Sequence, residues 1–541
     1  MKFGFIIDNR KCIGCHACTT ACKSEHLVPV GVNRTWVKQV EKGEFPNTRR
    51  LFSVMRCNHC TEAPCVEICP VEALFVREDG IVDFNNDRCI GCKSCMQACP
   101  YDALYINPEN HTAAKCNYCA HRIDIGLEPA CVNVCPEHAI ISGDMEDPES
   151  EISQLLAREQ VTVRKAAKGT VPNLFYIDGD ESSLNPMATE KSDSYFWSSQ
   201  SRGVGHYAKA AEKMAFSNGD LVQAVLEANG QSATAGEVAK NGASRSIDLL
   251  LGKPRRIYDA PDKGVLWGWE VAGYVMTKAI AAGTVLMLFL AGVFNWAQVD
   301  DTTEWVGLIS ALVFLGATGL LLIKDLDRPD RFLYVLLRPQ WNSWLVKGGY
   351  TITVYGALIT LMLAISWFEL DILAVPVQWL TAIFAVITAI YTAFLFAQAR
   401  GRDFWQSPTL PLHMLVHSIM AGAAFFGIAA VITNPGQDWV NLLGYALLTG
   451  IGVNMFTLWT ELSVTHPTEE AKRTVEMITK GRYSRKFWWG TVVLGNLVPV
   501  AVLAFMGLEP MSMAIAGIAS LLGILFTEQI WVEAPQKIQL V

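Results

Sequence analysis

Sixteen cysteines lie between Cys12 and Cys135 of this 541-residue chain, and each belongs to a group of four. The groups are Cys12, Cys15, Cys18 and Cys22; Cys57, Cys60, Cys65 and Cys69; Cys89, Cys92, Cys95 and Cys99; and Cys116, Cys119, Cys131 and Cys135. A cubane 4Fe-4S cluster needs four thiolates, and a C-x2-C-x2-C-x3-C run gives three to one cluster and sends its fourth to another. Three of the groups end in Cys-Pro, and proline there suits a first helical turn. Structural zinc prefers two separated C-x2-C pairs. A disulfide framework belongs to secreted chains, and "MKFGFIIDNRKC" does not read as a secretory signal. Four 4Fe-4S clusters are therefore expected.

The elements that must hold these ligands repeat. "FIIDNRKCIGCHACTTACKSEHL" is echoed by "VDFNNDRCIGCKSCMQACPYDAL", each with a strand-like approach before the cysteine run. Over residues 1–180 the chain resembles the four-cluster ferredoxin-like subunits of bacterial respiratory oxidoreductases, of the DmsB, NrfC and PsrB type. The likeness extends past the last cysteine into "CPEHAIISGDMEDPESEISQLL" and "VPNLFYIDGD". It implies an α+β ferredoxin-like fold of two bacterial-ferredoxin-type repeats in which the outer groups exchange last ligands, as do the inner ones. The implied sets are Cys12, Cys15, Cys18 with Cys135; Cys116, Cys119, Cys131 with Cys22; Cys57, Cys60, Cys65 with Cys99; and Cys89, Cys92, Cys95 with Cys69.

From about residue 263 the composition changes. Eight long apolar stretches follow one another, from "GVLWGWEVAGYVMTKAIAAGTVLMLFLAGVF" to "PMSMAIAGIASLLGILF". About twenty apolar residues in a helix cross a bilayer core, so an all-α bundle of eight transmembrane helices is expected over residues 263–530, the last span being short. Residues 531–541 read as a tail. The Lys and Arg residues flanking the spans gather on one side: Lys253, Arg255, Arg256 and Lys263 before the first, then alternate loops such as Lys324 to Arg338. The positive-inside rule puts that side, with the cysteine domain, in the cytoplasm of a prokaryotic inner membrane.

The loop "LLIKDLDRPDRFLYVLLRPQWNSWLVKGG" and the stretch "YTAFLFAQARGRDFWQSPTLPLHML" resemble the hallmarks of NrfD and PsrC membrane subunits. That resemblance implies exchange of electrons and protons with a membrane quinone, menaquinone or ubiquinone. In the first span Glu270, Tyr274 and Lys278 recur every four residues and share one helical face. A polar column inside lipid is costly and reads as functional. Tyr274 stands where the family presents a hydrogen-bond donor to the quinone. Asp325 and Arg328, in the hallmark loop, are further candidates, although alternating charges with Asp327 and Arg331 also suit a salt-bridged turn. Glu461 and His466, with Asn454 before them, could lead protons between cytoplasm and quinone; singly, each reads as a solvated helix end.

Haem is not expected, because His413 and His417 lie four apart on one face of one helix. Nor does an obvious third ligand for a metal accompany that pair. Residues 181–262 are polar, with short helical patterns such as "HYAKAAEKMAF" and "DLVQAVLEA", and read as a connector. No phosphate-binding loop, nucleophile elbow or dinucleotide fingerprint is present, and a net charge of −8 gives no reason to expect nucleic acid. The expected role is electron transfer between quinone and a separate catalytic subunit, which the resemblance implies to be a large molybdopterin protein. A hydrogenase or cytochrome partner, or a redox-driven proton pump, are the alternatives.

Overall fold

The cysteine runs bend the backbone where residues bearing a side chain rarely go. In the two Cys-Ile-Gly-Cys segments, Gly14 and Gly91 have φ of 71° and 69°, and His16 and Lys93 have 60° and 61°. A left-handed residue other than glycine costs about 1–2 kcal/mol, so its recurrence at equivalent positions marks a required shape. After the Cys-Pro pairs, Glu72, Asp102 and His138 are left-handed as well, and each turns the chain into a strand.

The computed structural model describes residues 1–43, 47–189, 254–261 and 263–541. Lys253 and the two helical patterns read within the connector lie outside the described residues. In the N-terminal domain β1 (Phe3–Asp8) is central to a four-stranded sheet of order β8-β1-β10-β9, with β8 at Ile140–Asp144, β9 at Val161–Thr162 and β10 at Leu174–Ile177. Alternation along β1 divides its sides: Phe5 and Ile7 pack with Cys18 and Cys131, while Ile6 packs with Ile152 of the helix Glu151–Arg158. A second sheet, β11-β2-β3, joins Thr35–Lys42 and Arg49–Arg56 to Arg255–Tyr258. The strand at 255–258 therefore makes the end of the expected connector part of the cysteine domain. Two short ladders, β4-β5 (Leu74–Val76, Val82–Phe84) and β6-β7 (Leu104–Ile106, Ala113–Lys115), separate the later cysteine groups.

Among the described residues, eight helices are long and apolar enough to cross a membrane. Spans one to six are Trp269–Phe294, Asp301–Lys324, Trp344–Phe368, Asp371–Gln398, Leu410–Thr433 and Gln437–Ser463. Span seven begins as a π-helix, Lys486–Leu497, and continues as Val498–Met506; span eight is Pro510–Glu533. Span eight is thus not short: its last turns contain Thr527, Glu528 and Gln529, which end the apolar run in sequence but point into the bundle or pair locally. Small residues bring backbones together, as is usual where lipid removes any hydrophobic drive between helices. A Cβ added to Gly283 of span one would lie 1.8 Å from the Ser418 carbonyl of span five, and one on Gly422 would lie 2.2 Å from the Gly283 carbonyl carbon.

The N-terminal domain sits on one face of this bundle. Ser343 donates to the Ile68 carbonyl (2.8 Å), and Arg331 donates to the carbonyls of Asn86 (2.7 Å) and Cys89 (3.1 Å). Lys165 pairs with Glu470 at 2.6 Å and Lys168 with Asp403. The C-terminal segment belongs to this seam. Gln536 accepts from Gln97 (2.6 Å) and donates to the Trp267 carbonyl (2.8 Å), Arg164 holds the Leu540 carbonyl (3.1 Å), and Val541 packs into the core of the cysteine domain.

The contact between spans one and five gives a direct test. Gly283→Leu is expected to lower the apparent melting temperature of the detergent-solubilised protein, by an overpacking cost of about 1–3 kcal/mol or more. Gly316→Leu, on a lipid-facing position where an added Cβ meets nothing within 4 Å, is expected to leave it unchanged.

Candidate functional site

The fold brings the sixteen thiols together in four sets, each drawing on two of the sequence groups. Cys12, Cys15, Cys18 and Cys135 line one cavity, and Cys69, Cys89, Cys92 and Cys95 another. Cys22 faces Cys116 and Cys131, beside Cys119. Cys99 faces Cys57, Cys60 and Cys65. The sets are also ordered. Cys18 approaches Cys131, Cys57 approaches Cys116, and Cys65 approaches Cys69 and Cys95. The series runs from Cys15, which is exposed, to Cys92, whose carbonyl accepts from the Trp267 indole at 3.1 Å on the bundle face.

The surroundings fit a 4Fe-4S cluster in each set. Burial pushes the Cys18 thiol up to about 11 and the Cys92 thiol up to about 12, so clustered thiolates persist there only against a compensating polycation. Peptide N–H groups point at sulfur: Ala73 donates to Cys69 (3.3 Å), Ala139 to Cys135 (3.3 Å), and Gly91 and Ala113 to Cys89 (both 3.4 Å). Arg56 is fully buried, donates to Cys131 at 3.1 Å, and keeps its Nε and second Nη without a partner among the described residues. A guanidinium so placed faces Cys131, Cys116 and Cys18 together, and is suited to the negative charge of ligated sulfur.

After Trp267, whose indole donates to the Cys92 carbonyl, the first span turns its polar face inward. Tyr274 and Lys278 are buried. The Lys278 ammonium donates to the Ala389 carbonyl (3.0 Å) and to Thr392 (2.7 Å) and lies 4.6 Å from the centre of the Tyr391 ring; Tyr274 faces Thr392 and Tyr391 too. Glu270, one turn outward, pairs with Lys324 at 3.7 Å, so Glu270 and Lys278 do not satisfy each other. In the hallmark loop Lys93 reaches Asp325 (3.4 Å) and Asp327 (3.7 Å), and Arg328 donates to the Asn110 carbonyl (3.2 Å). These loop residues hold the two domains together. Burial, opposed by Lys93, pushes the Asp325 carboxyl up to about 7.

A second polar group, on spans five to eight, was not assembled by sequence. Glu461 is no solvated helix end: it is buried and accepts from Thr409 (2.6 Å) and the Trp531 indole (3.2 Å), with His413 Nδ1 at 3.2 Å. His417 Nδ1 lies 2.7 Å from Glu528, and its Nε2 lies 3.1 Å from the Asn454 side-chain oxygen. Asn454 in turn donates to Asn496 (3.0 Å) of the π-helix. His466 sits in the turn beyond span six, half-buried near Phe404, and the structure does not bring it to Glu461. The HxxxH pair and the lone glutamate of "FTEQIW" were the available signals for this group.

The sequence matches the family "Polysulphide reductase, NrfD" over residues 260–536, and 4Fe-4S dicluster domains over residues 11–74 and 48–145. Its N-terminal part is 45% identical over 190 residues to a tetrathionate reductase subunit of Salmonella typhimurium, covering 34% of this sequence and 76% of that one. It is 44% identical over 181 residues to a polysulfide reductase component of Wolinella succinogenes (32% of this sequence, 94% of that one) and 43% identical over 180 residues to NrfC of Escherichia coli (33% and 81%). With ferredoxin-like iron-sulfur domains on a face of eight apolar helices, this protein belongs to the NrfD polysulphide reductase family, as a multi-pass membrane protein joined to the iron-sulfur electron-transfer subunit of such reductases.

Proposed function

We propose that this protein passes electrons between a separate catalytic subunit and the membrane quinone pool. The observation that carries the reading is the ordered series of thiol sets, which ends at Cys92, whose carbonyl is held by Trp267 at the entry to the span that carries the buried pair Tyr274 and Lys278. Four 4Fe-4S clusters would be held by the four sets, and when bound they supply reversible one-electron transfer. The protein's own part is positional. Peptide N–H groups and Arg56 place positive potential at sulfur, Trp267 ties the last set to the bundle, and Tyr274, Lys278 and Thr392 offer donors to a quinone oxygen. Reduction of a quinone takes two electrons and two protons. Asp325, with a carboxyl that exchanges its proton near neutral pH and with Lys93, Glu270 and Asp327 around it, is placed to pass protons from the seam.

The partner is proposed to be a molybdopterin catalytic subunit. Relatives named as tetrathionate, polysulfide, dimethyl sulfoxide and arsenate reductase subunits support a reductase complex. The concentration of Lys and Arg on the docking side supports a cytoplasmic position for the clusters at an inner membrane.

Anaerobically purified protein is expected to hold about sixteen irons, and its clusters to be reduced rapidly by a menaquinol analogue in stopped flow. Tyr274→Phe and Lys278→Met are expected to slow that step at least about tenfold, a barrier change of about 1.4 kcal/mol, with iron content unchanged. Equal rates in all three proteins would leave the membrane half a mere anchor. Reduction adds negative charge near Arg56, so Arg56→Met is expected to make the potentials of the nearest clusters more negative in an EPR-monitored titration. Loss of a charge-assisted bond of about 1.5–3 kcal/mol corresponds to at most about 60–130 mV for one electron.

A further inference from the structure

His413 and His417 on span five meet Glu528 of span eight inside the bundle, all three at most 2% exposed. One atom from each, a ring nitrogen or a carboxylate oxygen, lies within 4.8 Å of the other two. What these atoms hold depends on where the ring protons are, and the hydrogen-bond network assigns them.

The assignment starts at a backbone carbonyl, which only accepts. Asn496 donates its amide to the Thr491 carbonyl at 2.7 Å, which turns its oxygen toward Asn454. Asn454 donates to that oxygen and so turns its own oxygen to His417 Nε2 at 3.1 Å. His417 Nε2 therefore carries the proton, and a neutral His417 has its lone pair on Nδ1, facing Glu528 at 2.7 Å. The second histidine is fixed in the same way. The carboxylate of Glu461 faces His413 Nδ1 at 3.2 Å, so Nδ1 carries the proton and the lone pair is on Nε2. That Nε2 is buried without a hydrogen-bond partner among the described residues and lies 3.9 Å from the same Glu528 oxygen. Three lone-pair donors thus converge on one buried point.

We propose that His413 Nε2, His417 Nδ1 and Glu528 bind one divalent cation of the zinc class. Two imidazoles and a carboxylate with one position left open form a known zinc donor set. The outer groups fit as well, since histidines that hold a metal commonly give their other N–H to a carboxylate or carbonyl oxygen. Glu461 does this for His413, and Asn454 for His417. Glu461 is itself held by Trp531 and Thr409. With both imidazoles neutral, the carboxylate of Glu528 meets the charge of Lys278 across the bundle, and a second, divalent charge at the three lone pairs is favoured by Glu528 and Glu461 together. Although Glu528 faces Lys278 electrostatically, the three ligand atoms belong to other residues than the pair Tyr274 and Lys278, and metal content is read without quinone, so the inference does not rest on the quinone reading.

The test is metal analysis of the full-length protein, purified anaerobically in detergent from zinc-supplemented cells, with X-ray absorption at the zinc edge. About one zinc per molecule is expected beside the cluster iron, with nitrogen and oxygen neighbours at about 2.0–2.1 Å. Glu528→Gln and His417→Ala are expected to lose at least about nine-tenths of it with iron unchanged, and His466→Ala to retain it. Asn454→Leu, which leaves every ligand in place, is expected to weaken zinc binding about 10–100-fold. If the variants do not fold, the wild type decides alone: chelated protein should take back one Zn2+ with the same nitrogen and oxygen shell. Zinc in a sulfur shell at about 2.3 Å, zinc equal in wild type and Glu528→Gln, or no zinc would overturn the proposal and leave the histidines paired with the two glutamates through protons.

Discussion

Charge taken out of water must meet a fixed partner, and that requirement shapes both halves of this protein. A buried ion without compensation costs several kcal/mol. In the cysteine domain the compensation is a set of donors aimed at sulfur: peptide N–H groups delivered by left-handed turns, and the guanidinium of Arg56 enclosed between two thiol sets. In the bundle it is a carbonyl and a hydroxyl for Lys278, and the His413 ring, the Thr409 hydroxyl and the Trp531 indole for Glu461. Each of these groups is held on one helix by partners on another, so the same contacts that neutralise charge also fix the helix arrangement.

The seam between the halves follows the same rule by another route. Many of its hydrogen bonds run from a long side chain to a main-chain carbonyl: Arg331 to Asn86 and Cys89, Arg402 to Pro535 and Ile538, Gln536 to Trp267, Arg164 to Leu540. Such bonds capture carbonyls at helix ends and cluster loops that docking removes from water, where an unpaired polar group would cost about 1–3 kcal/mol. Because the C-terminal residues and the strand Arg255–Tyr258 are woven into the cysteine domain, the two halves are joined by folding as well as by the residues that link them in sequence. That keeps Trp267 against Cys92 and stacked near Trp405 at 5.6 Å.

How much of this was legible in the sequence depended on whether a signal was local. Cysteine spacing reports ligand chemistry directly, because neighbouring thiols must reach one cluster, and the eight spans follow from length and hydropathy. Partners across the fold leave no such trace. The exchange of Cys22 with Cys135 and of Cys69 with Cys99 was implied by resemblance alone; the fold adds which thiols lie together, Cys135 with the first group and Cys69 with the third. Periodicity put Tyr274 and Lys278 on one face, yet could not say that Lys278 turns to Ala389 and Thr392 rather than to Glu270. Glu528 lies just beyond the last apolar stretch and carries no local signal of a partner; His417 lies 111 residues away in sequence. The π-helix at Lys486–Leu497, which presents Asn496, has no distinctive apolar pattern.

Depth within the bundle bears on what turnover does. Among the described residues, the buried acidic and basic side chains of the spans are Lys278, His413, His417, Glu461 and Glu528. The deepest, Lys278, is nine residues inside the start of span one, about 14 Å at 1.5 Å per residue, against a hydrocarbon core of about 30 Å. Beyond it the bundle is closed by backbone contact between Gly283 and Gly422 and by Tyr355 donating to the Ala281 carbonyl. Among the described residues, the buried acidic and basic side chains of the spans are therefore confined to the half of the bundle next to the cysteine sets. On the proposed quinone reading, this arrangement has electrons and protons meeting on the side of the cysteine sets.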